Sequence, residues 1–135
     1  MKLTNQDSAD KGGPLCIVMK DDFLREIVAN VLSRLPHVSK VFEFKTCLKA
    51  QQSSDGMQCR VVLIEISQAA LCEPYCKSVR TQSPGARIVV LAEPEECNAA
   101  SAAQLGADIV VSFTGLIQAI EDFHTANEDQ SRLIS

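Results

Sequence analysis

Residues 60–66 read RVVLIEI, a nearly continuous β-branched run. A strand with one wet face alternates apolar and polar residues. This stretch does not alternate, which predicts a strand covered on both faces, as in a parallel sheet packed between helices. A second run of the same kind, IVVLA, occupies 88–92. Further apolar runs stand at 15–19, 38–44 and 109–111. The run at 38–44, VSKVFEF, alternates in part and is expected nearer a sheet edge.

Helical patterns fall between these runs. Phe23, Leu24, Ile27, Val28, Val31, Leu32 and Leu35 recur at helical spacing, with Asp21 or Asp22 able to cap the start and Pro36 closing the end. A weaker helix is predicted from Thr46 to about Gln52. Pro74 suits the first turn of a third helix, where its missing N–H costs nothing, and Ser83-Pro84-Gly85 ends it. Pro94 opens a fourth, rich in alanine, with Gly106 suited to the left-handed position after its end. Leu116, Ile117, Ile120 and Phe123 mark a fifth, with Thr114 as its expected cap. Strand and helix thus alternate five times, which implies a parallel sheet with helices on both faces and a site at the carboxyl ends of the strands. One domain is expected at 14–126, between a flexible tail at 1–13 and a polar tail at 127–135.

Composition narrows the function classes. The 135 residues are 46% apolar but contain only five Phe, one Tyr and no Trp, so the core must be aliphatic. The net charge is −4, and no two basic residues are adjacent, which disfavours nucleic acid. The first fourteen residues are polar and unlike an export signal, and no apolar run approaches a membrane span, so a cytoplasmic location without membrane contact is expected. Six cysteines stand at 16, 47, 59, 72, 76 and 97 and are expected to be reduced thiols acting as small hydrophobes. Cys72 and Cys76 are four apart with Pro74 between them, an unpromising zinc or disulfide pair. Gly12-Gly13-Pro14 precedes the first strand, whereas a phosphate loop would follow it, so it reads as a linker. His37 and His124 are far apart and are expected to be structural or surface residues.

Three stretches resemble the receiver domain of bacterial two-component response regulators. LCIVMKDDFLREIVANVLSRL at 15–35 is similar to the family's first strand and helix. RVVLIEI at 60–66 is similar to its third strand, and PGARIVVLAEPEECNAASAAQLGAD at 84–108 to its fourth strand, fourth helix and the approach to the fifth strand. The resemblance implies an α/β fold: a flavodoxin-like, receiver-like (βα)5 three-layer sandwich with a parallel five-stranded sheet. In that family an aspartate at the end of the third strand takes a phosphoryl group. Acidic residues after the first strand help hold Mg²⁺, a hydroxyl after the fourth strand bonds the phosphoryl group, and a lysine after the fifth strand pairs with it.

This sequence departs at nearly every one of those positions. Glu65 stands where the aspartate would be, one methylene longer. Ala92 replaces the hydroxyl residue. The lysine position falls on Ser112 or Phe113, and the last lysine in the chain is Lys77. Met19 and Lys20 stand at the acidic pair, with Asp21 and Asp22 directly after. The loop after the third strand reads SQAAL at 67–71, without the usual proline.

A degenerate, or pseudo-receiver, domain is therefore expected, with no catalytic residue, metal or cofactor. Glu65 has two readings, an imitation of a phosphoaspartate or a polar remnant. Lys20 likewise has two, a fixed counter-charge to Glu65 in place of Mg²⁺ or a solvated loop residue. The function implied is that of a stand-alone atypical receiver in signal transduction and the phosphorelay, acting by phosphorylation-independent protein–protein interaction. Its partner, another signalling protein or a second copy, would dock on the fourth helix, fifth strand and fifth helix, about 95–105, 109–111 and 116–123. The alternatives are a flavodoxin-like small-ligand-binding domain and a receiver with residual phosphorylation at Glu65 or Asp21.

Overall fold

The structure, a computed structural model, describes residues 13–96 and 106–134. The chain runs through β1 (Gly13–Val18), α1 (Asp22–Ser33), β2 (Val38–Phe44), α2 (Cys47–Gln51), α3 (Ser54–Met57) and β3 (Val61–Glu65). It continues through α4 (Ile66–Ala69), a 3₁₀ turn (Ala70–Cys72), α5 (Glu73–Gln82), β4 (Arg87–Leu91), a second 3₁₀ turn (Pro94–Glu96), β5 (Ile109–Val111) and α6 (Phe113–Ile134). The five strands form one sheet in the order β2-β1-β3-β4-β5. Every pairing is parallel. This is the flavodoxin-like arrangement, whose order reverses beside β1.

Successive residues of β1 feed opposite faces, as the pleat requires. Cys16 and Val18 join Val62, Ile64, Ile88 and Val90 in a core closed by Ala50 of α2 and by Tyr75 and Val79 of α5. Leu15 and Ile17 join Leu63, Val89 and Leu91 in a second core closed by Val28 and Leu32 of α1 and Leu116 and Ile120 of α6. The run at 60–66 is unbroken because β3 lies at the centre, with β1 on one side and β4 on the other. Partly alternating β2 lies at an edge.

Local signals explain most boundaries. The Asp21 carboxylate accepts the backbone N–H of Leu24 at 2.8 Å and so starts α1. The Thr46 hydroxyl accepts the N–H of Lys49 at 3.2 Å and starts α2. Pro74 lies in the first turn of α5. Gly106 takes φ +75°, the left-handed backbone that glycine adopts without penalty. At Gly56 a Cβ would land on the carbonyl of Ala50, so glycine lets α3 close onto α2. Beneath the sheet, the Asp108 carboxylate accepts the N–H of Ile88 at 2.7 Å and pairs with Arg80 at 3.2 Å. The Gly-Ala-Asp approach to β5 thus works as a structural clasp.

Several expectations need correction. Gly13 and Pro14 belong to β1, with a register shift between them, so the linker gives way to strand one residue early. The 67–71 segment is helical directly out of β3, because α4 begins at Ile66. α6 begins at Phe113, so Thr114 lies inside it and its hydroxyl meets that of Ser112 at 3.0 Å instead of capping. α6 also continues to Ile134, past the expected boundary at 126. The expected helix after Pro94 lies mostly outside the described residues, as does the tail at 1–12.

Candidate functional site

The carboxyl ends of β1, β3, β4 and β5 assemble one edge of the molecule. Val18 pairs with Ile64, Glu65 with Leu91, and Leu91 with Val111. Met19, Glu65, Ala92 and Ser112 therefore stand at adjacent strand ends, where parallel sheets place their sites. The strand ends named from the sequence therefore lie side by side. The side chains there behave differently from expectation.

Met19 is fully buried and packs into the core beneath α1 and α6. Its N–H continues the sheet, donating to the Phe44 carbonyl at 3.0 Å. Asp21 is spent on capping α1. Asp22, the first residue of α1, pairs with Arg25 at 2.7 Å and Lys45 at 3.5 Å. The hydrogen bond from Arg25, then the charge of Lys45, hold its carboxyl below the ordinary carboxylate range. Lys20 is exposed. Among the described residues no ion pair joins Lys20 to Glu65, so the proposed counter-charge is not formed.

The cation that organises this edge is Arg25, which sequence reasoning missed. Its Nη1 donates to the Met19 carbonyl at 2.8 Å, and its Nη2 bonds Asp22. Its Nε lies 3.4 Å from a carboxylate oxygen of Glu43 on β2, an ion pair without hydrogen-bond geometry. One guanidinium thus ties the β1 loop, α1 and β2 together. The Asp22-x-x-Arg25 spacing was visible in the sequence as a pair on one helix face. The reach to Glu43 was not.

Glu65 is half-buried, and its carboxylate turns toward the residues that follow it. It accepts the N–H of Ser67 at 3.2 Å and the Ser67 hydroxyl. Ala92 is buried and donates its N–H to the Val111 carbonyl at 2.8 Å. Ser112 follows β5 directly and faces Thr114, while Phe113 is about half exposed at 47%. Neither supplies a cation.

These residues do not fit Mg²⁺. A hard divalent cation needs several free carboxylate or carbonyl oxygens. Here one acid caps a helix, a second is neutralised by Arg25 and Lys45, and Glu65 is taken by Ser67. The position before them is an apolar thioether in the core. Among the described residues, no group of three or more His, Cys, Asp or Glu side chains is arranged to hold a metal ion. No helix among them is long and apolar enough to cross a membrane.

The cysteines supply a second correction. Cys47, the first residue of α2, and Cys72, at the end of the 3₁₀ turn, are joined as a disulfide, with Cα atoms 5.3 Å apart. The expectation of reduced thiols is not met by these two residues. Cys16, Cys59 and Cys76 are buried and free. Cys16 lies 3.3 Å from the Tyr75 hydroxyl, which donates to the Gly56 carbonyl at 2.6 Å. Cys59 donates to the Asp55 carbonyl at 3.1 Å. Burial pushes the Tyr75 hydroxyl and the Cys76 thiol upward, so both keep their protons at neutral pH.

No protein-family model matches the sequence, and a search of curated proteins found no match. Solved structures are similar in shape. A two-component response regulator of the LuxR family from Aurantimonas sp. SI85-9A1 superposes with a TM-score of 0.65 at 16% identity, covering 85% of this chain and 86% of that one. A pilus assembly-related protein from Burkholderia pseudomallei gives 0.62 at 12% identity, over 83% of this chain and 89% of the other. RcsB from Salmonella enterica serovar Typhimurium, solved on promoter rprA with the phosphomimetic BeF₃⁻, gives 0.60 at 16% identity, over 82% and 66%. At these identities the likeness is one of fold: the chain has the receiver-like, flavodoxin-like α/β fold.

Proposed function

We propose that this chain is a degenerate receiver-like signalling module that acts by binding another protein, is not phosphorylated, and catalyses no reaction. The observation that carries this reading is the commitment of the acids at the β1 edge. Asp21 is held by the α1 backbone and Asp22 by Arg25 and Lys45, with Met19 buried beside them. A metal would have to displace a helix cap and two cations before reaching its oxygens. Glu65, Ala92 and Ser112 add no acceptor, hydroxyl or lysine of the receiver pattern. The partner surface is the one receivers commonly use, here about 95–105, 109–111 and 116–123. On its described part Ile117 is exposed at 39%. Soluble signalling in the cytoplasm is part of the same reading.

Affinity capture from the native cell extract tests it, run with and without acetyl phosphate and Mg²⁺. The same partner at the same yield in both conditions supports the reading. A partner retained only with the phosphoryl donor contradicts it, as does a phosphoryl mass gain on the protein itself.

A further inference from the structure

We propose that Cys47 and Cys72 form a reversible dithiol–disulfide pair whose oxidation fastens the segment after Glu65 to the helix after β2. The pair joins two parts of the chain separated by 25 residues in sequence. Cys72 closes a short stretch that leaves Glu65 through α4 and the 3₁₀ turn. That stretch is held at its start by the Glu65–Ser67 contacts and at its end by Cys72. In the receiver fold this is the segment that follows the phosphoacceptor position, so its two anchors set how freely it moves.

Geometry selects this pair among the cysteines. The Cα separation of 5.3 Å lies in the range of bonded cysteines, and both side chains sit in one buried cluster. The other described thiols have different engagements: Cys16 with Tyr75, Cys59 with the Asp55 carbonyl, and Cys76 held protonated by burial. Exposed leucines flank both members of the pair, Leu48 at 63% and Leu71 at 72%. The crosslink therefore fixes the spacing of two apolar side chains on the surface. α2, α4 and the 3₁₀ turn are each only a turn or so long, so opening them to a small reagent costs far less than global unfolding.

The oxidant would be a low-molecular-weight disulfide. One cysteine thiolate attacks it, forming a mixed disulfide and releasing one small thiol. The second cysteine thiolate attacks the mixed disulfide at the protein sulfur and releases the second small thiol. Two protons and two electrons leave the cysteine pair and end on the two small thiols. The pairing stands whether or not the chain is ever phosphorylated.

The test equilibrates the purified full chain in glutathione buffers from reducing to oxidising. Alkylation under denaturing conditions and peptide mass spectrometry follow, with hydrogen exchange measured in parallel. The expected result is a Cys47–Cys72 linked peptide that appears as the buffer becomes oxidising and disappears with dithiothreitol. On reduction, amide exchange across 47–51 and 66–72 should rise by about tenfold or more. Cys47→Ala should show the fast exchange in every buffer. Should that variant not fold, the wild-type comparison with and without dithiothreitol decides alone. Free alkylation of both residues in every buffer overturns the proposal. So does linkage to other cysteines, a link that native protein keeps in excess dithiothreitol, or exchange that ignores the redox state.

Discussion

The guanidinium of Arg25 donates to the carbonyl oxygen of Met19 at 2.8 Å while its other nitrogens face Asp22 and Glu43. A single side chain, itself only 16% exposed, thus closes the loop after β1. In the receiver pattern this loop presents acids to a metal. Here it is built around an internal cation.

Replacing Arg25 with Met keeps much of the apolar stem and removes every one of those contacts. The Met19 carbonyl loses its side-chain donor, and Asp22 and Glu43 lose a counter-charge. Arg25→Met should destabilise the fold by about 2–3 kcal/mol. Urea unfolding measures this as a lower midpoint with an unchanged slope. A loss below a few tenths of a kcal/mol would mean the clamp is ornamental.

Asp22 sets a pH dependence of known sign. Its folded-state carboxyl is held below the ordinary value of 3.8, first by the Arg25 hydrogen bond and then by Lys45. The unfolded chain lacks that pairing. The contribution is therefore present above the ordinary carboxylate value and is lost as pH falls through the lowered folded value. Asp22→Asn should be less stable than wild type at neutral pH, by a small amount because the group is exposed. The two should converge in acid. A gap that widens on acidification would contradict the assignment.

The fold was far more legible than the site. RVVLIEI announced a central strand because burial on both faces removes the need for alternation. Asp21 and Pro74 act on their own neighbours, so their roles were readable locally. The Arg25–Glu43 pair joins α1 to β2 and depends on how the two pack. α4 was missed because a four-residue helix is too short to show a period. The Cys47–Cys72 link was missed because connectivity among six cysteines is not encoded in their spacing. The departures from the receiver pattern were visible as residue types, but the uses made of Asp21, Asp22 and Glu65 were not.

Tyr75 gives a stability prediction on the opposite face of the sheet. It is buried, and its hydroxyl donates to the Gly56 carbonyl at 2.6 Å and meets Cys16 at 3.3 Å. Tyr75→Phe keeps the ring and strands that carbonyl. The expected cost is about 1–2 kcal/mol in chemical denaturation. Tyr75→Ala should cost more, about 3–5 kcal/mol, because it also opens a cavity. A Phe variant as stable as wild type would show that the hydroxyl bond contributes nothing, and equal losses for the two variants would show that the ring adds nothing beyond its hydroxyl.

The central proposal is that the carboxyl edge of this sheet takes neither a metal ion nor a phosphoryl group and is held by internal pairing around Arg25. Titration of the full chain with Mg²⁺ and then beryllofluoride, followed by amide NMR, tests it most directly. The account predicts that the resonances of Lys20, Asp21, Glu65, Ala92 and Ser112 stay in place through both additions. Saturable shifts at those residues that require both reagents would contradict it.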